Sequence, residues 1–431
     1  MRIVELNENN KKNLMSELLK RSPQNYQAYN DRVMEILDNV RTKGDEALFG
    51  YTEKFDGAKL TPESIVITQE EIDEAVASVD PALIETMKRA AANIEEFHKR
   101  QLPNSWFMTR EDGCVLGQKV SAIDSVGVYV PGGKAAYPST LLMNVVPARV
   151  AGVKNIYMAT PCNSEGKVNP ATLAAASIAG VTKMFKMGGA QAIAALAYGT
   201  ETIPKVDKIV GPGNIYVALA KKAVYGFVSI DSVAGPSEVC VIADENANPR
   251  YVAADLLSQA EHDELASAIL VTTSRTLAEA VSREVDGFLG VLSRREIIEK
   301  SLDNFGYILI ASSMDDAIDT VNEIAPEHLE IAAADPFAMM AKIKNAGAMF
   351  LGEYSSEPLG DYFAGPNHVL PTNGTAKFFS ALCVEDFLKK SSIVYYTKDA
   401  LRAVSDDIVS FAKSEQLTAH ANAISVRFEN E

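Results

Sequence analysis

Only five histidines occur in this chain of 431 residues, and histidine is the side chain best suited to exchange protons or bind transition metals near neutral pH. His98 lies in a helical run rich in Glu and Lys, which predicts a solvated position on the surface. Each of the other four has a carboxylate or amide close by in the sequence. These groups are Gln259 and Glu261 with His262, Glu327 with His328, Asp361 with His368, and Glu415 with His420. The four groups are the first candidates for chemistry.

One pair has a spacing that suits a metal ion. Gln259 and His262 stand three residues apart in a predicted helix, so both side chains can project from one face and bind the same ion. A polar helix face exposed to water explains the same pair, and the pair alone favours that interpretation. Asp361 and His420 can complete a set of nitrogen and oxygen ligands. Such a mixed set suits zinc, with manganese or cobalt as alternatives.

The dipeptide Glu327-His328 follows Pro326 at the end of a predicted helical segment. A histidine next to a carboxylate can act as a general base, and the glutamate can orient or deprotonate a water molecule. A helix N-cap or a surface ion pair is the alternative for any isolated Glu-His dipeptide.

The four cysteines are widely scattered and form no CxxC pair, which predicts reduced thiols rather than a disulfide framework or a thiolate metal site. They are Cys114, Cys162, Cys240 and Cys383. Cys240 lies in the apolar run SEVCVIA and is expected to be a packed thiol without an adjacent base.

Glycine-containing turns follow several predicted strands. They are Pro131-Gly132-Gly133, Gly188-Gly189, Gly211-Pro212-Gly213 and Gly235-Pro236-Ser237. Ligands of open α/β sheets bind beyond the carboxyl ends of the strands, where glycine permits close backbone approach. No GxGxxG sequence is present, so these turns predict a ligand crevice without naming a dinucleotide. Tight turns that bind nothing are the alternative for about half of them.

The elements that carry these residues follow a repeating order. From residue 125, short apolar runs such as SVGVYV and NIYMAT alternate with Ala-rich helical stretches, which predicts βαβ units around a parallel sheet covered on both faces. The alternation of apolar runs and helical stretches resumes at Ser237 and predicts a second α/β unit that extends to about residue 352. The chain before residue 125 is predicted to be mostly helical. A loop-rich stretch from Gly352 to Thr375 then leads into a tail of helical segments.

Composition restricts the location and partners of the protein. The net charge of −16 disfavours nucleic acid as a partner, because phosphates would be repelled over most of the surface. The charged N-terminal stretch lacks the pattern of a secretory signal, and the apolar run LLMNVVPARVAGV is interrupted by Pro147 and Arg149. A cytoplasmic protein without a membrane partner is expected.

Eight sequence blocks together resemble the histidinol dehydrogenase family, in the family's order and from about residue 20 to the end. They are GVYVPGG (127–133), GGAQAIAALAYGTE (188–201), KIVGPGN (208–214), AGPSEV (234–239), DLLSQAEH (255–262), PEHLE (326–330), GDYFAGPNHVLPT (360–372) and EQLTAHANAISVR (415–427). Asp263-Glu264-Leu265 differs from the Gly- or Pro-containing turn associated with the family, so the conformation of this loop stays open.

The resemblance implies a role for each candidate residue. One zinc ion per active site would be bound by Gln259, His262, Asp361 and His420 and would hold the imidazole and amino nitrogens of histidinol. The substrate would also contact Ser237, His328, His368 and Glu415. Glu327 and His328 would transfer protons. NAD would be held at Tyr129, Gln191 and Asn214, in a mode unlike the usual glycine fingerprint.

The implied reaction is a four-electron oxidation of L-histidinol through L-histidinaldehyde to L-histidine, the last steps of histidine biosynthesis, with two NAD used per histidinol. His328 would take the alcohol proton, and Glu327 would assist hydration of the aldehyde. Two other classes of protein stay open: a metal-dependent hydrolase without nicotinamide, and a non-catalytic zinc or nucleotide sensor.

The implied fold is α/β, with two incomplete Rossmann-like, aldehyde-dehydrogenase-like parallel-sheet domains and small N-terminal and C-terminal helical segments. The expected boundaries are an N-terminal helical segment (1–22), a discontinuous first domain (23–125 and 238–380), a second domain (126–237) and a C-terminal tail (381–431). The resemblance also implies a homodimer in which the swapped tail brings Glu415 and His420 into the partner's active site.

Overall fold

The computed structural model of the chain describes residues 1–21, 27–132 and 137–429. Gly133, the last residue of one predicted turn, lies outside these ranges, as does the predicted boundary at residues 22–23. Within the described ranges no helix is long and apolar enough to cross a membrane.

The strands of the described ranges are short. They are β1 (Arg2–Glu5), β2 (Trp106–Thr109), β3 (Val115–Ala122), β4 (Ser125–Tyr129), β5 (Asn155–Thr160), β6 (Lys183–Lys186), β7 (Lys208–Val210), β8 (Ser229–Ile230), β9 (Glu238–Ala243), β10 (Ser267–Thr272), β11 (Gly306–Ile310), β12 (His328–Ala332), β13 (Ala348–Leu351) and β14 (Leu388–Tyr395).

The α-helices alternate with most of these strands. They are α1 (Glu8–Lys20), α2 (Gln27–Lys43), α3 (Asp45–Asp56), α4 (Gln69–Ser78), α5 (Pro81–Lys99), α6 (Pro138–Ala151), α7 (Pro170–Ala179), α8 (Gly189–Tyr198), α9 (Ile215–Val224), α10 (Pro249–Ala260), α11 (Arg275–Leu289), α12 (Arg295–Phe305), α13 (Met314–Ile324), α14 (Pro336–Met340), α15 (Glu357–Tyr362), α16 (Lys398–Ser414) and α17 (Thr418–Ser425).

The chain divides into two compact units, which we call the large unit and the small unit. The large unit comprises Met1–Gln101 and Asp124–Phe387, and the small unit comprises Leu102–Ile123 and Leu388–Glu431. The large unit contains two parallel sheets, with strand orders β1-β11-β10-β9-β12-β13 and β6-β5-β4-β7-β8. The predicted α/β class with two parallel sheets is confirmed.

The four central strands of the six-stranded sheet, β9 to β12, are buried on both faces, which explains their continuous apolar sequences. On β9, Val239 and Val241 pack in one core with α10, α11 and α12. Cys240 and Ile242, which point to the opposite face, pack in a second core with α1 and α13. The five-stranded sheet packs in a third core with α2, α8 and α9.

The small unit contains a three-stranded antiparallel sheet, in the order β14-β3-β2, and the helices α16 and α17. Sequence analysis predicted the two C-terminal helices but none of these three strands. It also missed β1, which pairs with β11 in the large unit and precedes the N-terminal helix.

Candidate active site

Glu327 and His328 lie in the interior of the large unit, at the amino end of β12. The helix α13 ends earlier, at Ile324, so the dipeptide begins a strand instead of ending a helix. Both residues are buried, with 7% and 4% of their surface exposed, which excludes a surface ion pair. β12 lies between β9 and β13, and this central position places the dipeptide beside residues from neighbouring strands.

The backbone of Glu238, the first residue of β9, holds both side chains. Its N–H donates a hydrogen bond to Glu327 Oε2 at 2.8 Å, and its carbonyl accepts one from His328 Nδ1 at 3.0 Å. Because a carbonyl can only accept, Nδ1 carries a hydrogen, and Nε2 is the nitrogen that can act as a base when the imidazole is neutral. The Glu238 side chain forms a buried ion pair with Arg21, which fixes this end of β9.

His328 Nε2 faces Asp361, which lies on the short helix α15. Asp361 Oδ1 is 3.6 Å from His328 Nε2 and 3.8 Å from His368 Nδ1. His368 Nδ1 donates a hydrogen bond to the Asp361 carbonyl at 3.0 Å, so its Nε2 is also free. The structure therefore brings His328, Asp361 and His368 together from three separate segments.

The charges of this group depend on one another. Burial raises the pKa of Glu327 to about 8. Burial alone would lower the pKa of His328, but the nearby carboxylates of Glu327 and Asp361 outweigh it and raise that pKa to about 10. Burial alone would likewise raise the pKa of Asp361, yet its contact with His328 lowers it. A proton is therefore readily held between these acidic and basic groups.

A cation could bind where His262, Glu357 and Asp361 meet. One ligand atom from each lies within 4.8 Å of the others. His262 follows the end of α10 at Ala260, so the predicted helical position is wrong by two residues. Its N–H nevertheless donates to the Gln259 carbonyl at 3.1 Å, which keeps Gln259 and His262 adjacent. Asp263 Oδ1 then accepts from Leu265 N–H, which gives the following loop its turn.

Gln259 provides an independent test of whether a metal fits here. The residue is 1% exposed, and neither its amide oxygen nor its amide nitrogen has a hydrogen-bond partner within the structure. A buried amide without partners is unfavourable unless a ligand satisfies it. With imidazole and carboxylate groups next to it, the site offers the donor chemistry that zinc accepts. The residues present fit a zinc ion.

Glu357 was not among the predicted site residues. It lies one helical turn before Asp361 on α15, is buried, and accepts a hydrogen bond from Ser258 Oγ at 2.8 Å. Burial raises its pKa to about 7. The sequence signal that could have found it is the i, i+4 spacing to Asp361, which places both carboxylates on one helix face.

The remaining predicted substrate residues lie in different parts of the chain. Ser237 is partly buried and directly precedes β9, beside the backbone that holds Glu327. Glu415 and His420 belong to the small unit, at the end of α16 and on α17, and both are exposed. Of the predicted metal ligands, the large unit brings His262 and Asp361 together, with the buried Gln259 three residues before His262.

A cavity of about 450 Å³ opens next to this group of residues. Its wall includes His328, Asp361 and His368, together with the apolar side chains of Phe97, Phe350 and Leu382. The volume falls in the range of small-molecule sites, and a few convergent polar groups on an apolar wall are typical of them.

The three predicted cofactor residues lie in the five-stranded sheet region. Tyr129 ends β4, and its hydroxyl accepts a hydrogen bond from Gly189 N–H at 3.0 Å. Burial raises the pKa of Tyr129 to about 12, so the phenol stays protonated and keeps a hydrogen to donate. Gln191, on α8, is 1% exposed and neither of its amide atoms has a hydrogen-bond partner within the structure. Asn214 caps α9 through its side chain and is exposed.

The turn before Asn214 is held by a buried ion pair of Lys221 and Asp231. Gly211 donates its N–H to Asp231 Oδ2 at 2.8 Å, and its carbonyl accepts from Lys221 Nζ at 2.9 Å. Gly211 has φ +110°, and a Cβ there would lie 2.1 Å from the Tyr129 carbonyl oxygen. Only glycine fits this turn. The Gln191 amide, which has no partner among the described residues, is suited to a polar ligand such as a dinucleotide.

The prediction that His98 is a solvated surface residue is wrong. His98 is fully buried on α5, and its Nδ1 donates to the Ile94 carbonyl at 2.7 Å. Met87, Ala90, Ala91, Ile94 and His98 recur at helical spacing and form the buried face of α5. His98 therefore has a packing role in the large unit.

Comparison with known proteins identifies relatives over nearly the whole chain. A profile of the histidinol dehydrogenase family matches residues 19–428. The histidinol dehydrogenase of Geobacillus kaustophilus is 58% identical over 397 residues, which cover 92% of this chain and 93% of that protein. The Bacillus subtilis histidinol dehydrogenase is 56% identical over 395 residues, 92% of each chain.

A solved structure gives the same result. The crystal structure of histidinol dehydrogenase from Elizabethkingia anophelis superposes with a TM-score of 0.93 at 40% identity and covers 100% of this chain and 98% of that one. The chain therefore belongs to the histidinol dehydrogenase family and is an oxidoreductase.

Proposed function

We propose that the protein is a zinc-dependent enzyme that oxidises L-histidinol through L-histidinaldehyde to L-histidine, with two NAD as hydride acceptors. The observation that carries the proposal is the convergence of a buried Glu-His dyad, Asp361 and His262 next to a buried glutamine amide without partners. A non-catalytic sensor would not need Glu327 and His328 directed at the metal ligands. A metal-dependent hydrolase would not need the unpaired Gln191 amide, because it uses no dinucleotide.

The metal would be bound by Gln259, His262 and Asp361 of one chain, with His420 as the fourth ligand. A zinc ion bound there supplies a positive charge that orients the substrate and favours loss of its hydroxyl proton. Glu357, in contact with Asp361, adds negative charge that suits the amino group of the substrate.

His328 would act as the base for the alcohol step. Its Nδ1–H is engaged by the Glu238 carbonyl, so Nε2 is directed to the Asp361 side of the site. A cation bound by Asp361 would oppose the carboxylates that raise the pKa of His328 and would favour the neutral imidazole, whose Nε2 can take a proton. His328 would take the hydroxyl proton, and NAD bound beside the substrate would supply the hydride acceptor for formation of the aldehyde.

Glu327 would act in the second oxidation. It would remove a proton from the water that adds to the aldehyde, which gives the deprotonated hydrate. Loss of a hydride from this hydrate to a second NAD would give the carboxylic acid, which releases its remaining proton to become the carboxylate. Burial raises the Glu327 pKa to about 8, which makes this carboxylate a stronger base than an exposed one. Its hydrogen bond from Glu238 N–H keeps it in place during both steps.

The NAD would be bound near Tyr129, Gln191 and Asn214, with the remaining substrate contacts made by Ser237, His368 and Glu415. The Gln191 amide has no hydrogen-bond partner among the described residues, and the protonated Tyr129 hydroxyl carries a hydrogen that it can donate. These groups can satisfy the ribose and amide groups of a dinucleotide without a GxGxxG turn.

The active form is proposed to be a homodimer in which the small unit completes the partner's site. Among the described residues of the small unit, the buried hydrophobic side chains are only Cys114, Ala400 and Ala421. Its large apolar side chains are instead exposed, including Phe107 at 63%, Val394 at 70% and Phe411 at 70%. A unit with so small a core needs another surface to cover it, and exchange between two copies provides one.

The proposal is tested by following NADH formation with L-histidinol before and after chelation. We expect NAD reduction at two NADH per histidinol, a loss of more than about tenfold after the metal is removed, and recovery on addition of zinc. Undiminished reduction by protein shown to be metal-free would contradict the zinc dependence. If zinc-loaded protein consumed substrate without reducing NAD, the hydrolase alternative would replace the proposal.

All four cysteines should be dispensable for both oxidations. They are unpaired, and three of them are buried. Burial raises the pKa of the Cys240 thiol far above its ordinary value, so it is not a nucleophile. A quadruple Cys→Ser variant should oxidise histidinol and histidinaldehyde at rates close to wild type. A folded quadruple variant that could not oxidise the aldehyde would support a thiohemiacetal mechanism instead.

A further inference from the structure

Three elements of the large unit carry the candidate site: α10 with Gln259, β12 with His328, and α15 with Asp361. Glu330 lies on β12 two residues after His328, so the two side chains are on the same face of the strand. Glu330 is buried, with 5% of its surface exposed. It is not among the residues that would bind substrate, metal or cofactor.

Glu330 is bonded to both of the other elements. Its Oε1 accepts a hydrogen bond from the Glu357 N–H at 2.8 Å, in the first turn of α15. Its carboxyl group is also hydrogen-bonded to the carboxyl group of Asp255, on α10 one turn before Gln259. A single buried side chain thus connects the strand that begins at His328 with the two helices that carry candidate metal ligands.

The Asp255 contact determines which hydrogen bonds Glu330 can make. Two carboxyl groups in hydrogen-bond contact need a proton between them, because two carboxylates at that separation would repel each other. A protonated Glu330 accepts from Glu357 N–H with one oxygen and donates to Asp255 with the other. A glutamine amide presents the same acceptor and donor.

We propose that Glu330 is a positioning residue that fixes β12, α10 and α15 relative to one another, so that His328 converges with Gln259, His262 and Asp361. The inference rests on the proposed function, because it concerns the same zinc site. Groups behind the ligands of a metal site set ligand orientation and affect both metal affinity and activity. The Ser258–Glu357 hydrogen bond is a second link between α10 and α15, but it does not include β12.

The test compares Glu330→Leu with Glu330→Gln. Leucine fills similar space and removes both hydrogen bonds, so we expect zinc affinity and kcat for histidinol to fall by about 10- to 100-fold. Glutamine keeps both bonds and should recover most of each loss. Zinc affinity is measured on the apoprotein by competition with a chromophoric chelator, which does not depend on turnover.

Asp255 provides a second pair of variants if Glu330→Leu does not fold. Asp255 is only partly buried, so Asp255→Ala removes the α10 link at a more tolerant position, and Asp255→Asn retains an acceptor for Glu330. Ser301→Ala is the matched control: it removes a buried hydrogen bond to the Ala266 carbonyl elsewhere in the large unit. It should lower the unfolding temperature without changing zinc affinity.

Wild-type zinc affinity and kcat in both Glu330→Leu and Asp255→Ala would overturn the inference. The inference would also be overturned if Glu330→Gln lost as much zinc affinity and kcat as Glu330→Leu. An equal loss of zinc affinity in Ser301→Ala would overturn it as well. The wild-type protein in the same assays tests the proposed function separately, because failure to bind zinc or reduce NAD there would overturn that proposal and not the linkage.

Discussion

Replacing His328 with Asn should lower kcat for histidinol by about 100- to 10,000-fold, the range over which a positioned general base contributes to catalysis. The expected loss is this large because the Nε2 lone pair near Asp361 has no equivalent in asparagine. Zinc content should stay at the wild-type level, because His328 would move a proton and the ion would be held by other residues. Turnover, zinc stoichiometry and thermal unfolding measure the three properties.

Replacing Glu327 with Gln separates the two oxidations. The amide oxygen can still accept from Glu238 N–H, so the fold at the start of β9 and β12 should persist. The amide cannot remove a proton from water, so oxidation of added histidinaldehyde should fall further than oxidation of histidinol to the aldehyde. Wild-type rates with the aldehyde would refute the role of Glu327 in the second step.

The alternation of apolar runs and Ala-rich stretches predicted the parallel sheets because the central strands of these sheets, such as β4, β9 and β10, are buried on both faces. β9 shows the reason: each of its six residues is buried, so the sequence reads as one continuous apolar run. β2 has the opposite property. All four of its residues are exposed, and its apolar run of Trp106, Phe107 and Met108 is too short to mark it as a strand.

The sequence likewise indicated some residues of the candidate site and not others. Glu327-His328 and Gln259 with His262 were chosen as candidates because the members of each pair are neighbours in the sequence. Glu357 and Glu330 were missed because acidic residues are common, and only the meeting of α10, β12 and α15 makes these two carboxyl groups part of the site. His98 was misplaced because its neighbours in sequence are charged, whereas its neighbours on the helix face are Ile94 and Ala91.

A hybrid of two inactive subunits should recover activity if sites are shared between protomers. His420, in the small unit, and His328, in the large unit, would then serve one site from different chains. In a hybrid of His420→Asn with His328→Asn subunits, one site contains both lesions and the other contains neither. About half of the sites in each isolated hybrid should therefore be active, while each parent dimer is inactive. Differently tagged, co-expressed subunits allow the hybrid to be isolated and assayed.

The reciprocal hybrid gives the opposite result and makes the test decisive. In this hybrid, a subunit with both substitutions pairs with a wild-type subunit. If each site takes His328 from one chain and His420 from the other, each site contains one substituted residue, so the hybrid should be inactive. If His420 served its own chain, this hybrid would keep half of its sites, and the hybrid of two single variants would be as inactive as its parents. Wild type paired with His328→Asn is the control, because it keeps about half of its sites under either arrangement. The apolar surface of the small unit, where Phe411 is 70% exposed, leads us to expect the shared arrangement.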